Sequence, residues 1–141
     1  MEYKVRFVNP QKHYRDHREE YLHAIDDVLS RGDLMLRQDV EDFEEAIAQM
    51  VGTSYAVGLN SGTDTMFFAL KALGIGLGDE VITVSHTFIS SISVVVNCGA
   101  KPVLVDVGND FLINPDLIEE VITEKTKAII PVHLNGRVCD M

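Results

Sequence analysis

The sequence predicts an α/β fold: a mostly parallel sheet with helices over both faces, in three layers. Three observations predict it. From Tyr55 onward, short apolar runs alternate with stretches of helical spacing. Consecutive runs lie far enough apart for the crossovers that parallel strands require. The composition, 46% hydrophobic and 24% charged, supports a buried core rather than disorder. At 141 residues the chain is one domain's worth of sequence.

Residues 1–13 read as polar and irregular, with Pro10 expected to break any early element. Tyr14, Tyr21, Ile25, Val28 and Leu29 then share a helical face, and Gly32 follows as a stop. A second helix runs from Val40 through Phe43, Ile47, Met50 and Val51, with Asp39 expected as its cap and Gly52 as its end. Tyr55–Leu59 reads as a buried strand. Met66, Phe67, Leu70 and Leu73 mark a helix ending at Gly74. Val81–Val84 and Pro102–Val105 read as strands. Between them, residues 88–96 are β-branched and would score as strand. Yet Ile89, Ile92 and Val96 fit one helical face and Cys98-Gly99 resembles a helix end, so a helix is expected. Asn114-Pro115-Asp116 starts another helix, because Asn caps and Pro loses nothing at the first position. Lys127–Val132 completes a β-α-β-α-β-α-β order. This divides the chain into a leading helical segment, 1–52, and an alternating segment, 53–141.

The charge excludes some partners. Lys plus Arg number 12 against 22 Asp plus Glu, a net charge of -10. No basic face suits a nucleic acid or an anionic membrane surface. No apolar run approaches the length of a membrane span, and the N-terminus has no signal core. Cys98 and Cys139 are far apart and suit a reduced, cytoplasmic chain. The acidic helix faces read as solvated surface.

Ligands of open parallel sheets bind beyond the carboxyl ends of the strands. That directs attention to Asn60-Ser61-Gly62-Thr63-Asp64, Ser85-His86-Thr87-Phe88, the loop from Asp106, and His133-Leu134-Asn135-Gly136. The first loop leads straight into a helix. Gly62 permits close backbone approach, the helix start favours a phosphate, and Thr63 adds a hydroxyl. A plain Ser cap reads equally well. Neither a dinucleotide nor an NTP fingerprint is present. Phe88 would lie flat on a planar ligand or pack in the core. His86 and His133 are placed for chemistry, although a lone loop histidine is more often structural. Their spacing offers no metal site, and the His13/His17 pair is only a weak hint of one. Asp106 would orient a ligand or cap the turn after it.

Together these residues resemble the N-terminal part of the DegT/DnrJ/EryC1/StrS family, the pyridoxal-phosphate (PLP) sugar aminotransferases. The resemblance rests on Val8-Asn9-Pro10, Val40–Glu44, Tyr55–Asp64, Leu73–Ile82 and Thr87-Phe88. It continues through Gly99–Val103, Val105-Asp106-Val107 and Thr126–Gly136. A departure is Arg37-Gln38, where many members carry Gly-Pro. The resemblance implies that Ser61, Gly62, Thr63 and Asp64 hold the PLP phosphate and that Phe88 stacks on its ring. His133 would lie near the crevice without a catalytic role. The implied fold is an incomplete fold-type-I large domain, without the small C-terminal domain. In its seven-stranded sheet, one member antiparallel, the strand near 57 lies at one side and those near 82 and 103 together at the other. The strand near 130 would be central, with both neighbours encoded after Met141, unless the available strands pair directly. Apolar edges would be exposed.

The implied activity is transamination of a nucleotide-linked keto-sugar, with glutamate as amino donor, in cell-surface polysaccharide or antibiotic sugar assembly, by a homodimer. Such chemistry needs a lysine that bonds the cofactor and a carboxylate at the pyridine nitrogen. The lysines here, Lys4, Lys12, Lys71, Lys101, Lys125 and Lys127, match no such position. Both groups are expected downstream, so the chain alone is expected to be inactive. A non-catalytic fragment, or a domain binding PLP or a partner without turnover, is the alternative. A sugar dehydratase of the same family, with histidine in the lysine's place, is a further one.

Overall fold

The computed structural model describes residues 7–32, 35 and 37–141. Two compact units, 1–58 and 59–141, are distinguished by their internal contacts.

The first unit is helical. Pro10 opens a helix instead of breaking one: α1 spans Pro10–Asp16. Asn9 caps it by accepting the Lys12 N–H at 3.1 Å. Proline at the first position lacks an N–H that the helix would not have used. His17 leaves helical geometry, and α2 follows at Arg18–Arg31, closed by Gly32 in the left-handed region. α3 runs Gln38–Val51. Asp39 is not its cap. The N-cap is Arg37, and Asp39 sits in the first turn. There it takes Arg31 at 3.1 Å and Arg37 at 2.8 Å. Two guanidiniums compete for the carboxylate that would otherwise fold back on the helix end. The Arg37-Gln38 departure thus begins α3.

Residues 55–59 are not a strand. They are irregular, and Tyr55, Val57 and Leu59 are exposed. A strand exists only through a ladder partner. Here the Gly58 N–H donates to the Glu44 carboxylate at 2.6 Å instead.

The second unit is the α/β part. α4 (Gly62–Ala72) precedes β1 (Glu80–Val84), α5 (Ser90–Asn97), β2 (Lys101–Val105), α6 (Pro115–Val121) and β3 (Thr126–Ile130). The ambiguous segment is a helix, as the crossover argument requires. Asn114 caps α6 by accepting the Asp116 N–H at 3.1 Å. β3 stops before Pro131, which has no N–H to give a ladder.

The strands are parallel in the order β2-β1-β3. The strands near 82 and 103 adjoin, as expected. The expectation that both neighbours of the strand near 130 lie beyond Met141 is corrected, because β3 pairs directly with β1. The chain steps from β1 to β2 on one side, then across to β3 on the other. Crossovers of one hand must then lie on opposite faces, and they do.

Leu70, Val81, Val94 and Val95 form one core with α4 and α5. Ile82, Val84, Val105, Leu112 and Ile113 form the other, against α6. β1 supplies both because successive side chains alternate faces, and all its residues are buried. On the flanking strands Leu104 and Ile129 are exposed.

At the amino end of the sheet, Glu80 takes the Lys101 ammonium at 2.9 Å and the Thr123 hydroxyl at 2.7 Å. This clasp ties the start of β1 to β2 and to the turn before β3. No helix among the described residues is long and apolar enough to cross a membrane.

Candidate functional site

Ser61 is the N-cap of α4, and its oxygen accepts the Asp64 N–H at 3.2 Å. Its backbone carbonyl accepts from Thr65 N–H and from the Thr65 hydroxyl. Helix geometry leaves the first N–H groups, those of Gly62 and Thr63, without intrahelical acceptors. The cap and the anion-receptive end are therefore compatible readings of one loop.

Gly62 leaves room at this helix start for more than a plain cap. It is the first helical residue and does not have positive φ. A Cβ added there would meet nothing within 4 Å. Neither backbone geometry nor a protein neighbour demands glycine, and glycine weakens a helix relative to alanine. The open space leaves the backbone there accessible to a ligand at close range. An anion fits, since two donors and the positive helix end converge there.

The Thr63 hydroxyl lies 2.7 Å from that of Ser90, which is buried at the start of α5. This bond brings the starts of α4 and α5 together. Phe88, two residues before Ser90, is 73% exposed and joins neither hydrophobic core of this fold. Its carbonyl accepts the Ser91 N–H at 3.1 Å. Next to it, the Thr87 and Ser91 hydroxyls meet at 2.9 Å. The backbone carrying Phe88 is thus held while its ring remains available.

The other candidates separate. Asp106 caps its own turn, accepting the Val107 N–H at 2.8 Å. Nδ1 of His133 accepts the Cys139 N–H at 3.0 Å, a local brace. The Cys139 thiol, also buried, donates to the Val132 carbonyl. His86 faces the Phe111 ring edgewise at 6.4 Å. It borders a cavity of about 430 Å³ with Phe111, Asn135 and Arg137. That grouping was not legible in the sequence. Arg137 joins it by donating to the Asp110 carbonyl at 2.7 Å, across 27 residues of chain. His13 bonds the Tyr21 hydroxyl at 3.0 Å.

Among the described residues, no lysine is held at the carboxyl ends of the strands. Lys71 reaches the Cys98 carbonyl at 3.4 Å, and Lys127 the Glu124 carbonyl at 3.3 Å. Lys101 opens β2 in the clasp, Lys125 precedes β3, and Lys12 pairs with Asp16 on α1. Lys4 lies outside the described residues.

The family model of the DegT/DnrJ/EryC1/StrS aminotransferase family matches residues 15–141. The chain is 42% identical over 129 residues to a dTDP-3-amino-3,4,6-trideoxy-alpha-D-glucose transaminase of Micromonospora megalomicea subsp. nigra, covering 91% of the chain and 34% of the relative. The crystal structure of S. venezuelae DesV in complex with a ketimine intermediate is similar at a TM-score of 0.92 and 43% identity, over 96% of this chain and 37% of that one. The PLP form of a sugar aminotransferase, Spr1654 of Streptococcus pneumoniae, is similar at a TM-score of 0.81 and 40% identity, over 84% and 31%. The chain spans about a third of the length of the curated relatives it matches. It belongs to the DegT/DnrJ/EryC1/StrS aminotransferase family.

Proposed function

We propose that this chain is the phosphate-holding N-terminal part of a PLP-dependent aminotransferase. Its substrate class is a nucleotide-linked keto-sugar, and glutamate is the amino donor. The observation that carries the proposal is Gly62: a helical glycine with open space at its Cβ position, at a helix start rich in donors. The names of the relatives, a dTDP-sugar transaminase among them, support the substrate class.

In this reading the Gly62 and Thr63 N–H groups and the Ser61 and Thr63 hydroxyls hold the cofactor phosphate. Asp64 keeps the helix start in place by donating its N–H to Ser61. Phe88 lies against the pyridine ring and excludes water from that face. Bound there, PLP supplies an electron sink for labilising bonds at the substrate carbon. In this reading the proton is moved by a residue outside this chain; among the described residues, no lysine lies at the carboxyl ends of the strands. The chain alone therefore binds without turnover, and the whole protein works in the cytoplasm as a homodimer. The buried free thiols of Cys98 and Cys139 suit that reducing setting.

The test is to add PLP to the protein that carries this chain and follow its visible absorbance, then add glutamate. A cofactor spectrum that changes with glutamate is expected. Absence of any cofactor spectrum, with a downstream lysine present in the reading frame, would refute the proposal. A histidine at that lysine position would instead identify the dehydratase branch.

A further inference from the structure

The Ser90 hydroxyl has an unusual place. It lies on the first turn of α5, is 6% exposed, and has the Thr63 hydroxyl 2.7 Å away. Thr63 is the second residue of α4. The two helices are separate elements with β1 between them, and this bond spans 27 residues of sequence. A hydroxyl has one proton and two acceptor sites. Whichever oxygen accepts in this pair leaves the other proton committed.

We propose that Ser90 is a positioning residue: it donates to Thr63 Oγ1 and so directs the Thr63 proton at the cofactor phosphate. The inference rests on the phosphate seat proposed above. A phosphate only accepts, so Thr63 must donate to be useful there. Its oxygen is then free to accept, and Ser90 is the donor in reach. Two hydroxyls in series polarise each other, and burial strengthens the pair. With Ser90 absent, the Thr63 side chain loses the partner that fixes its rotamer.

The same bond has a second consequence. Ser90 lies two residues after Phe88, and the Ser91 N–H holds the Phe88 carbonyl at 3.1 Å. Thr63 belongs to the phosphate end of the seat and Phe88 to the ring end. The Ser90–Thr63 bond therefore sets the spacing between these two contacts. Ser90 touches no cofactor atom itself. It acts through Thr63 and through the backbone that carries Phe88.

The test compares PLP with pyridoxal, which has the ring but no phosphate, by titrating the protein that carries this chain. Three variants are used: Ser90→Ala, Thr63→Val and both together. Alanine suits a helix, and valine matches threonine in shape. Losing one hydrogen bond aimed at a charged group gives about a tenfold loss. Ser90→Ala is expected to weaken PLP about tenfold more than it weakens pyridoxal. Thr63→Val should do at least as much, and the double variant should be no worse than Thr63→Val alone. If Thr63→Val weakens PLP selectively but Ser90→Ala does not, the role of Ser90 is overturned and the phosphate seat stands. If Ser90→Ala weakens both ligands equally, Ser90 is merely structural. If Thr63→Val leaves the PLP-to-pyridoxal ratio unchanged, the seat itself is wrong.

Discussion

Replacing Gly62 with alanine separates a structural glycine from one reserved for a ligand. The residue is the first of α4, is not at positive φ, and has open space where the methyl would go. Alanine should therefore fit the cofactor-free protein without strain. It should stabilise it by about 0.4–1 kcal/mol, because the unfolded chain loses freedom and the helix gains a better former. Thermal unfolding without cofactor, followed by circular dichroism, should show an unchanged or slightly raised midpoint. Cofactor binding should move the other way. The methyl would stand between the phosphate and the Gly62 and Thr63 N–H groups. Overfilling a close contact costs about 1–3 kcal/mol, and 1.4 kcal/mol is tenfold in affinity. PLP affinity should fall roughly tenfold or more, with pyridoxal much less affected. A lowered midpoint without cofactor would mean the glycine serves the fold. An unchanged PLP affinity would mean that nothing approaches it. Either result refutes the reasoning.

Other perturbations test neighbouring statements. Ser61→Ala removes the bond to the Asp64 N–H and should lower stability by about 1 kcal/mol, whereas Ser61→Asp should keep the cap and repel PLP; a thermal melt and a PLP titration distinguish the two. The Glu80 carboxyl is held below the ordinary glutamate range, first by the Lys101 hydrogen bond and then by the Thr123 hydroxyl. A lowered folded pKa adds stability that is present above the unfolded value and disappears as pH falls through the folded one. Glu80→Gln should therefore be less stable than wild type at neutral pH, with the gap in urea midpoint closing as pH drops below about 4.5, the usual value; a gap independent of pH would contradict the clasp. Ile82 is fully buried at the centre of the sheet, so Ile82→Ala should cost about 2–5 kcal/mol, measured by urea unfolding; a loss under 1 kcal/mol would mean this core is loosely packed.

The elements that sequence patterning captured are those whose determinants are local. Asn114 and Pro115 start α6 by their own chemistry, and Gly52 ends α3 at a φ of 76°. Residues 88–96 were legible because parallel neighbours demand a crossover, which overrides β-branched propensity. Three features depended on information that the local pattern lacks. Pro10 was expected to break structure because its role turns on whether the preceding residue caps, and Asn9 does. Asp39 seemed a cap, but Arg31, eight residues away, and Arg37 draw it elsewhere. Tyr55–Leu59 has the apolar content of a strand, but a ladder needs a partner, and Gly58 finds a carboxylate.

The candidate site divides in the same way. Ser61, Gly62 and Thr63 were legible as small and hydroxylic residues leading straight into a helix, although the strand expected before them is absent. Phe88 was legible by its position as an aromatic that would cover a planar ligand or pack in the core, the family resemblance pointed to PLP as that ligand, and its ring is exposed in this fold. Ser90 was not legible as part of the site. Its single signal was a pair of hydroxyls, Ser90-Ser91, opening a helix among apolar residues. Only the approach of α4 to α5 makes that signal specific. The direct pairing of β3 with β1 was legible only as an alternative, because strand order is a long-range property that no segment encodes alone.

A crystal structure of the protein that carries this chain, with PLP bound, bears most directly on the account. It should show phosphate oxygens within hydrogen-bond reach of the Gly62 and Thr63 N–H groups and of the Thr63 hydroxyl, with the Phe88 ring parallel to the pyridine. A phosphate seated on other residues, with the start of α4 in contact only with solvent, would contradict it.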